Sequence, residues 1–560
     1  MQIQSIWSCL ILLVSTAGLS SIADCSDATG ESDKTLYNGI VLPEQWPPNY
    51  GGLTRKPMPL PYLTSPPEVI PIDVGRQLFV DDFLIQRTTL TRTFHQAEYY
   101  AQNPVLKPNK PWESELWSQG EKKEIPVAMV FSDGVWFDPS DQLFKIWYMG
   151  GYAGTVCYAT SKDGVRWSKP DLDVKPGTNV VMYKKRDGST VWLDHEEKDP
   201  EKRYKLFLME RGDDKEYRCH IYVSPDGIHW GEPLAVSRPI GGGTGERTSL
   251  FYNPFRKKWV YSIRANYWDS DDLGRARRYR EHSDVIAGAQ WTDAEAPWWV
   301  GADENDPRRP DLNVPPQLYN LDAVAYESVV LGLFSIWPGQ PKDRPKPNYI
   351  CLGFSRDGFH WDRPDHRPFI GLSETEGAWN WGNVQSAGGG CLVVGDKLYF
   401  YVSGRAGVKG GTSSGVCTTG LATLRRDGFA SMDAGPVEGT LTTRPLRFGG
   451  KHLFINADVR AGELCVEVLD AAGKPIAPFT RDNCIPASAD GTIQALRWKD
   501  ASDLSALSEK PVTFRFHLRN GKFYSFWVSP DLSGASHGYV AAGGPGFTGP
   551  TDSVGSTTPE

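Results

Sequence analysis

Long unbroken hydrophobic runs are missing from this chain. The best candidate, Ile6 to Leu19, is short and Ser-rich, so the sequence contains no convincing membrane span. Blocks of lysine and arginine are missing as well. With a formal net charge of −8 the chain has no electrostatic footprint for nucleic acid or an anionic bilayer, and composition alone points to a neutral or small partner. Only 10 His and 9 Cys occur in 560 residues, with no CxxC, no HExxH and no histidine cluster, so no zinc site is visible. What is abundant is aromatic and turn-forming. Twenty Trp, 23 Tyr and 23 Phe accompany 57 Gly and 42 Pro, a mixture that suits short strands and tight turns better than long helices. An all-β protein is expected.

Residues 1–23 read as an export signal. The apolar run ends in the small-x-small pattern Ser21-Ile22-Ala23, although the segment before it lacks Lys or Arg. A periplasmic or secreted location follows. Cys25 comes next, but Asp24 before it fits a lipidation box poorly. Cys157, Cys219 and Cys351 sit in strand-like runs and read as small buried hydrophobes, whereas Cys465 and Cys484 are close enough in sequence to pair.

One motif recurs. SKDGVRWSKP begins at Ser161, SPDGIHWGEP at Ser224 and SRDGFHWDRP at Ser355, placing Trp167, Trp230 and Trp361 at corresponding positions. The wider last gap holds a degenerate copy, HSDVIAGAQW, with Ser283, Gly288 and Trp291, and RRDGFASM around Asp427-Gly428 is a fifth. Upstream of each copy lies a strand pair such as GVWFDPSDQLFKIWYMGG or TSLFYNPFRKKWVYSIRAN. A unit of about 60 to 70 residues repeated five times has the length of a propeller blade. The Asp-Gly pair supplies the turn between outer strands and the Trp packs between blades, so the motif reads as architectural.

The expected architecture is therefore a five-bladed β-propeller over 73–434, followed by a C-terminal β-sandwich over 435–532. A Pro-rich arm (24–72) precedes the propeller, extended on the surface or acting as a linker, and a Gly/Ser/Thr-rich tail (533–560) is expected to be disordered. The segment RQLFVDDFLI, around Val80, is expected to add a strand to the fifth blade and help close the ring.

Strands converging on a propeller axis bring distant residues into one polar well. Asp133, Asp187, Glu246 and Asp322 all fall at inner-strand starts, so four carboxylates would ring it. Cleaving a glycosidic bond needs a protonated carboxyl near the leaving oxygen and an ionised one across the sugar ring. Each acid also has a plain structural reading. Asp133-Gly134 and Asp187-Gly188 are turn dipeptides, Glu246 and Arg247 could form a structural ion pair, and Asp322 could bond loop amides. Trp379, Trp381 and Gln385, beside the fifth inner strand, are candidate sugar contacts, with packing between blades as the alternative for the two Trp. Arg247 could bind an acidic sugar or sulfate, or orient Glu246. The acidic stretches 269–272 and 303–306 are the candidate structural calcium loops, without EF-hand spacing, and no other cofactor is expected.

The order of propeller then sandwich resembles the invertase-type fructosidases, and the propeller alone resembles the arabinanase and xylosidase families; the SxDGxxW repeat is similar to the Asp-box of sialidases. The run Glu246-Arg247-Thr248-Ser249-Leu250-Phe251 is similar to the fructosidase acid motif Glu-Cys-Pro-Asp-Leu-Phe, and Arg186-Asp187 to its Arg-Asp-Pro. The resemblance implies three catalytic acids. Glu246 would be the general acid, Asp187 the residue that holds the sugar and tunes that acid, and Asp133 the nucleophile or base, although the motif expected around Asp133 is missing. The function expected is an exported glycoside hydrolase acting on a poly- or oligosaccharide. A non-catalytic carbohydrate-binding propeller and a protein-interaction scaffold are the alternatives.

Overall fold

Alternating aromatic and polar residues, punctuated by Gly-containing turns, form antiparallel strands along almost the whole chain. The computed structural model describes residues 34–114, 125–240, 245–268, 273–312, 314–342 and 344–555. The export signal and Cys25 lie outside these residues, as does the stretch 269–272. No helix among the described residues is long and apolar enough to cross a membrane.

Five sheets follow one another between Ala128 and Arg425. The second is the most regular: Ser189–Leu193 pairs with Tyr204–Arg211, which pairs with Tyr217–Ser224, which pairs with the short Ala235–Val236. The third repeats this plan with Ser249–Asn253, Lys258–Tyr267, Gly274–His282 and Trp298–Val300. The first strands of the sheets touch one another in chain order, from Val135–Asp138 through Ser189–Leu193, Ser249–Asn253 and Gln317–Glu327 to Asn383–Ser386. Contacts also run from the fifth sheet back to the first. Cys417–Arg425 meets Ala128–Met129, Val127 bridges Cys417, and the Val130 amide donates to Thr419 Oγ1 at 2.8 Å.

The recurrent motif forms one hydrogen-bonded device three times. In each, the Ser hydroxyl accepts from the Gly amide three residues on, at 2.9 Å in Ser161/Gly164, Ser224/Gly227 and Ser355/Gly358. One Asp oxygen then accepts two further amides, as Asp226 does from Ile228 and His229. The Gly has positive φ in all three, 71°, 77° and 84°, which is why it is Gly. Aromatic groups of the preceding sheet receive these turns: Trp147 donates to Gly227 O, Trp299 to Phe359 O, and Tyr401 of the fifth sheet to Gly164 O of the first. In the degenerate copy Asp284 instead caps the short helix Val285–Gly288. Trp230 and Trp361 are buried within the large core that spans the five sheets, and Trp167 packs against it.

Two further sheets share a second core containing Phe79, Phe83, Phe514, Phe516, Phe523 and Phe526. Both take strands from the N-terminal side of the five sheets, which corrects the expected boundaries. Gln77–Leu78 pairs with Gly521–Ser529, Ile85–Thr88 with Gly439–Thr443, and Thr91–Phe94 with Ala430–Ala434. The segment near Val80 thus serves the C-terminal sheets, where edges would otherwise stand open. The strand added to the fifth sheet is Glu98–Tyr99. The arm is not a free linker either, since Ile70–Pro71 pairs in parallel with Leu446–Arg447.

The tail expected to be disordered is built in as far as residue 555. Tyr539–Val540 pairs with the end of Gln317–Glu327, Ala542 O accepts from Phe137, and Gly543 O accepts from Val393. These contacts lie at the ends of the first strands opposite to the four acids. Their apolar character explains the ordering: Val540 and Ala542 are fully buried in the main core. Cys465 and Cys484 are adjacent but not bonded to one another, each perturbing the other's thiol.

Candidate functional site

The entries of the first strands bring all four expected acids near one buried cation, Arg247: Glu246 is its chain neighbour, and its charge is felt by Asp133, Asp187 and Asp322. Glu246 and Arg247 lie on the turn that enters Ser249–Asn253, Asp187 on the turn that enters Ser189–Leu193, and Asp322 inside Gln317–Glu327. Arg247 is 3% exposed and sits in the left-handed region at φ 70°, a conformation that costs a non-glycine residue energy. Its guanidinium lies 3.7 Å above the centre of the Phe131 ring. The charges of Asp322 and Asp187 both act on it.

Glu246 is partly exposed, with 29% of its side chain accessible. Its Oε2 accepts from Arg264 Nη1 at 2.9 Å. Burial pushes its carboxyl above the usual range, Arg264 opposes this, and the negative charge of Asp187 pushes it up further. Asp187 keeps one buried oxygen, Oδ1, with no partner among the described residues.

Asp322 is 3% exposed, and its two oxygens differ. Oδ2 accepts from Asn320 Nδ2 at 2.7 Å, Ser386 Oγ at 2.5 Å and Ser132 Oγ at 3.3 Å, whereas Oδ1 has no partner among the described residues. Burial raises this carboxyl, and Arg247 is the largest influence pulling it back towards the ionised form.

Asp133 is placed differently. It is fully buried, with Oδ1 accepting from Arg186 Nη1 at 2.8 Å and Ser189 Oγ at 2.7 Å, and Oδ2 accepting from Arg186 Nη2 at 2.5 Å. Both oxygens of the expected nucleophile are engaged by a forked guanidinium, an arrangement that holds a backbone turn in place. Arg186 had looked like part of an acid motif. Its own partner is Asp133.

The expected aromatic contacts are occupied in packing. Trp379 lies against Gly404 and Gly420 of adjacent strands, where a Cβ would come within 2.2 and 2.1 Å of the ring, and meets Tyr99 edge-on at 5.4 Å. Trp381 packs on Gly407 and under the Arg344 guanidinium at 5.0 Å. Gln385 is fully buried; its Nε2 donates to Asn383 at 2.7 Å and its Oε1 is unpartnered among the described residues. The acidic loop at 303–306 is already neutralised. Arg363 donates to both Asp303 and Asp306, and His366 lies 2.9 Å from Asp303, so the carboxylates that could hold a cation have protein partners.

Several groups at the site carry little signal in the sequence. Asn320 shares its strand face with Asp322 by simple alternation, which could have revealed it. Tyr319 could not be found that way. Lys346 and Arg275 lie 5.4 and 5.5 Å from its ring, and although burial pushes its hydroxyl up, Lys346, Arg405 and Arg247 together hold it below the usual range. Arg264 and Arg277 are directly opposed across two strands, a register no local pattern announces. Arg264 also lines a cavity of about 480 Å³ beside Glu246, with Arg238, Asn266, Trp268, Trp291 and Trp298.

No protein-family model matches the chain, and no curated protein matches it in sequence. Solved structures that resemble it include an N-acetylgalactosamine deacetylase from F. plautii, at 14% identity and TM-score 0.37, covering 57% of this chain and 96% of that one. A thermostable family-43 glycoside hydrolase resembles it at 10% identity and TM-score 0.38, over 55% of this chain and 96% of the other. A glycosyl hydrolase from Bacteroides ovatus does so at 14% identity and TM-score 0.39, over 60% and 94%.

Proposed function

We propose that the chain is an exported glycoside hydrolase, built as a five-bladed propeller with a C-terminal β-sandwich, whose reaction takes place at the acid-bearing ends of the inner strands. The observation that carries this reading is the pairing of unlike carboxyls at one place. Glu246 is partly exposed and held towards its protonated form, while Asp187 and Asp322 each retain a buried oxygen without a protein partner. Structural ion pairs do not leave such oxygens open.

In this reading Glu246 gives its proton to the departing glycosidic oxygen as the C–O bond breaks. Asp322 replaces Asp133 as the group across the ring, acting through Oδ1 either as base for an incoming water or as nucleophile. Asp187 keeps Glu246 protonated through its negative charge. The neighbouring cavity with Trp268, Trp291 and Trp298 offers aromatic faces to the rest of a glycan.

The test is a screen of the purified protein on a broad glycan panel with product analysis, followed by variants on any glycan cleaved. Glu246→Gln is expected to lower turnover by roughly 10²–10⁴-fold, and much less on a substrate with a good leaving group. Asp322→Asn is expected to fail on both. If Asp133→Asn abolishes turnover in a folded protein while Asp322→Asn does not, the base is misassigned. Glycan binding without cleavage of any panel member would make the protein a binding module.

A further inference from the structure

The most unusual side chain in the molecule is Arg247. It is 3% exposed, yet Nε, Nη1 and Nη2 all lack a hydrogen-bond partner among the described residues. A buried guanidinium with all its donors unmade is strongly unfavourable by itself, because each donor has given up water without gaining a partner. Three features show how it is held. Its backbone is in the left-handed region, and so is that of Phe131 at φ 50°, the residue whose ring it covers. From behind, the fully buried Arg277 donates through Nη1 to Arg247 O at 2.6 Å and through Nη2 to Asn320 Oδ1 at 3.2 Å and to Tyr319 O, locking the peptide that carries the side chain. Strain, stacking and a buried cross-link together fix one orientation.

The surroundings add charge of the same sign. Arg275, Lys346 and Arg405 all act on the Tyr319 ring or hydroxyl together with Arg247, and Arg264 stands beside Glu246. Asp187, Asp322 and Asp133 are the nearby acids, and none makes a hydrogen bond to Arg247 among the described residues. In a chain of net charge −8, Arg247, Arg264, Arg275, Arg277, Lys346 and Arg405 thus lie close together at this place. Glu246, Asp187, Tyr319, Arg275 and Lys346 are all partly exposed, which opens the cluster to a ligand.

We propose that Arg247 is the receptor for a carboxylate on the substrate, so that the glycan cleaved, or bound, carries an acidic sugar of the uronate type at this subsite. The planar fork offers paired N–H donors to a planar carboxylate, and burial against Phe131 makes a neutral hydroxymethyl group in its place a poor substitute, because the donors would then stay unmade. Composition alone had pointed to a neutral or small partner; the local charge narrows this to a small acidic one. The proposal deepens the hydrolase reading by naming the substrate class, but binding through Arg247 needs no turnover.

The experiment measures binding of four monosaccharides by saturation-transfer NMR and by calorimetric titration. D-glucuronate and D-galacturonate are compared with D-glucose and D-galactose, on the wild-type protein and on Arg247→Met, Arg247→Lys and Glu246→Gln. At least one uronate is expected to bind the wild type about tenfold or more tightly than its neutral counterpart. The preference should vanish in Arg247→Met, be largely lost in Arg247→Lys, and survive in Glu246→Gln. Equal binding of acidic and neutral sugars, no uronate binding at all, or a preference that persists in folded Arg247→Met overturns the proposal. Displacement of the uronate by equimolar inorganic sulfate overturns the commitment to a carboxylate. The wild-type comparison decides even if an Arg247 variant does not fold. Should the glycan panel show no cleavage while the Arg247-dependent preference holds, the hydrolase reading falls and this one stands.

Discussion

At the scale of single residues, the site is governed by which carboxyls have been left unpaired. Asp133 and Asp322 are both fully or almost fully buried, but Arg186 and Ser189 satisfy the first, and among the described residues none satisfies Oδ1 of the second. Neighbours also set the proton affinity of Glu246. Its carboxyl lies above the ordinary range because of burial and of Asp187, against the pull of Arg264. If Glu246 must be protonated to act, kcat/KM falls as pH rises through that raised value, and the alkaline limb reports it. Asp187→Asn removes a negative neighbour and is expected to move the limb to lower pH. Arg264→Gln removes a positive one and is expected to move it to higher pH. A pH–rate profile of the three proteins on one substrate checks both signs, and a limb unmoved by either change would separate Glu246 from the titration.

At the scale of elements, the Ser-x-Asp-Gly-x-x-Trp hairpin is a self-contained device. Its hydrogen bonds are local, its Gly needs positive φ, and its outer surface is received by Trp147, Trp299 or Tyr401 of the preceding sheet. Trp230 is 4% exposed, and its Nε1 finds no partner among the described residues, so it contributes as packed apolar surface. Trp230→Ala is expected to lower stability by roughly 3–5 kcal/mol, the usual cost of deleting a buried large aromatic, without changing turnover per folded molecule. Denaturant melts combined with active-site titration would check this. A variant that melts like the parent but loses turnover would show that the motif works in the chemistry. The copy at Ser283 shows how far the device can wear. Asp284 still caps amides there, but a helical turn has replaced the Gly hairpin, and Trp291 still reaches Tyr261 at 5.4 Å.

At the scale of the whole molecule, the two chain ends complete what the middle leaves open. Strands near residues 77–94 fill the C-terminal sheets, and the segment around Tyr539–Val540 closes the inner strands at the end away from the acids. A buried charge network ties these parts together. Arg76 reaches Glu327 and Asp427, and Arg426 reaches Glu327 and Asp552, joining the N-terminal segment, the fourth and fifth sheets and the tail. Truncation after Leu532 removes Asp552 and the burial of Val540 and Phe547, worth about 1.5–3 kcal/mol for each large side chain. The truncated protein is expected to unfold at a clearly lower temperature in scanning calorimetry. An unchanged Tm would mean that the tail merely rests on the surface.

How much of this was legible beforehand depends on the range of the interaction. Strand content, the five repeats, the hairpin device and the placement of Asp133, Asp187 and Glu246 at strand starts follow from alternation and turn chemistry, which act over a few residues and are written in the sequence, whereas Asp322 lies in the middle of its strand and not at the expected start. Glu246, Asp187 and Asp322 were picked out as candidates in this way. Other features needed the fold. Asp133 is engaged by an Arg 53 positions away, Trp379 is packed on two glycines of neighbouring strands, and the segment near Val80 pairs with strands more than 350 positions distant, none of which leaves a local mark. Arg247 stood in the sequence beside Glu246, where a structural ion pair, the orienting of Glu246 and the binding of an acidic sugar or sulfate were all open readings. Only the left-handed backbone and the Arg277 cross-link, both tertiary in origin, turn it away from that neighbour and leave its donors open.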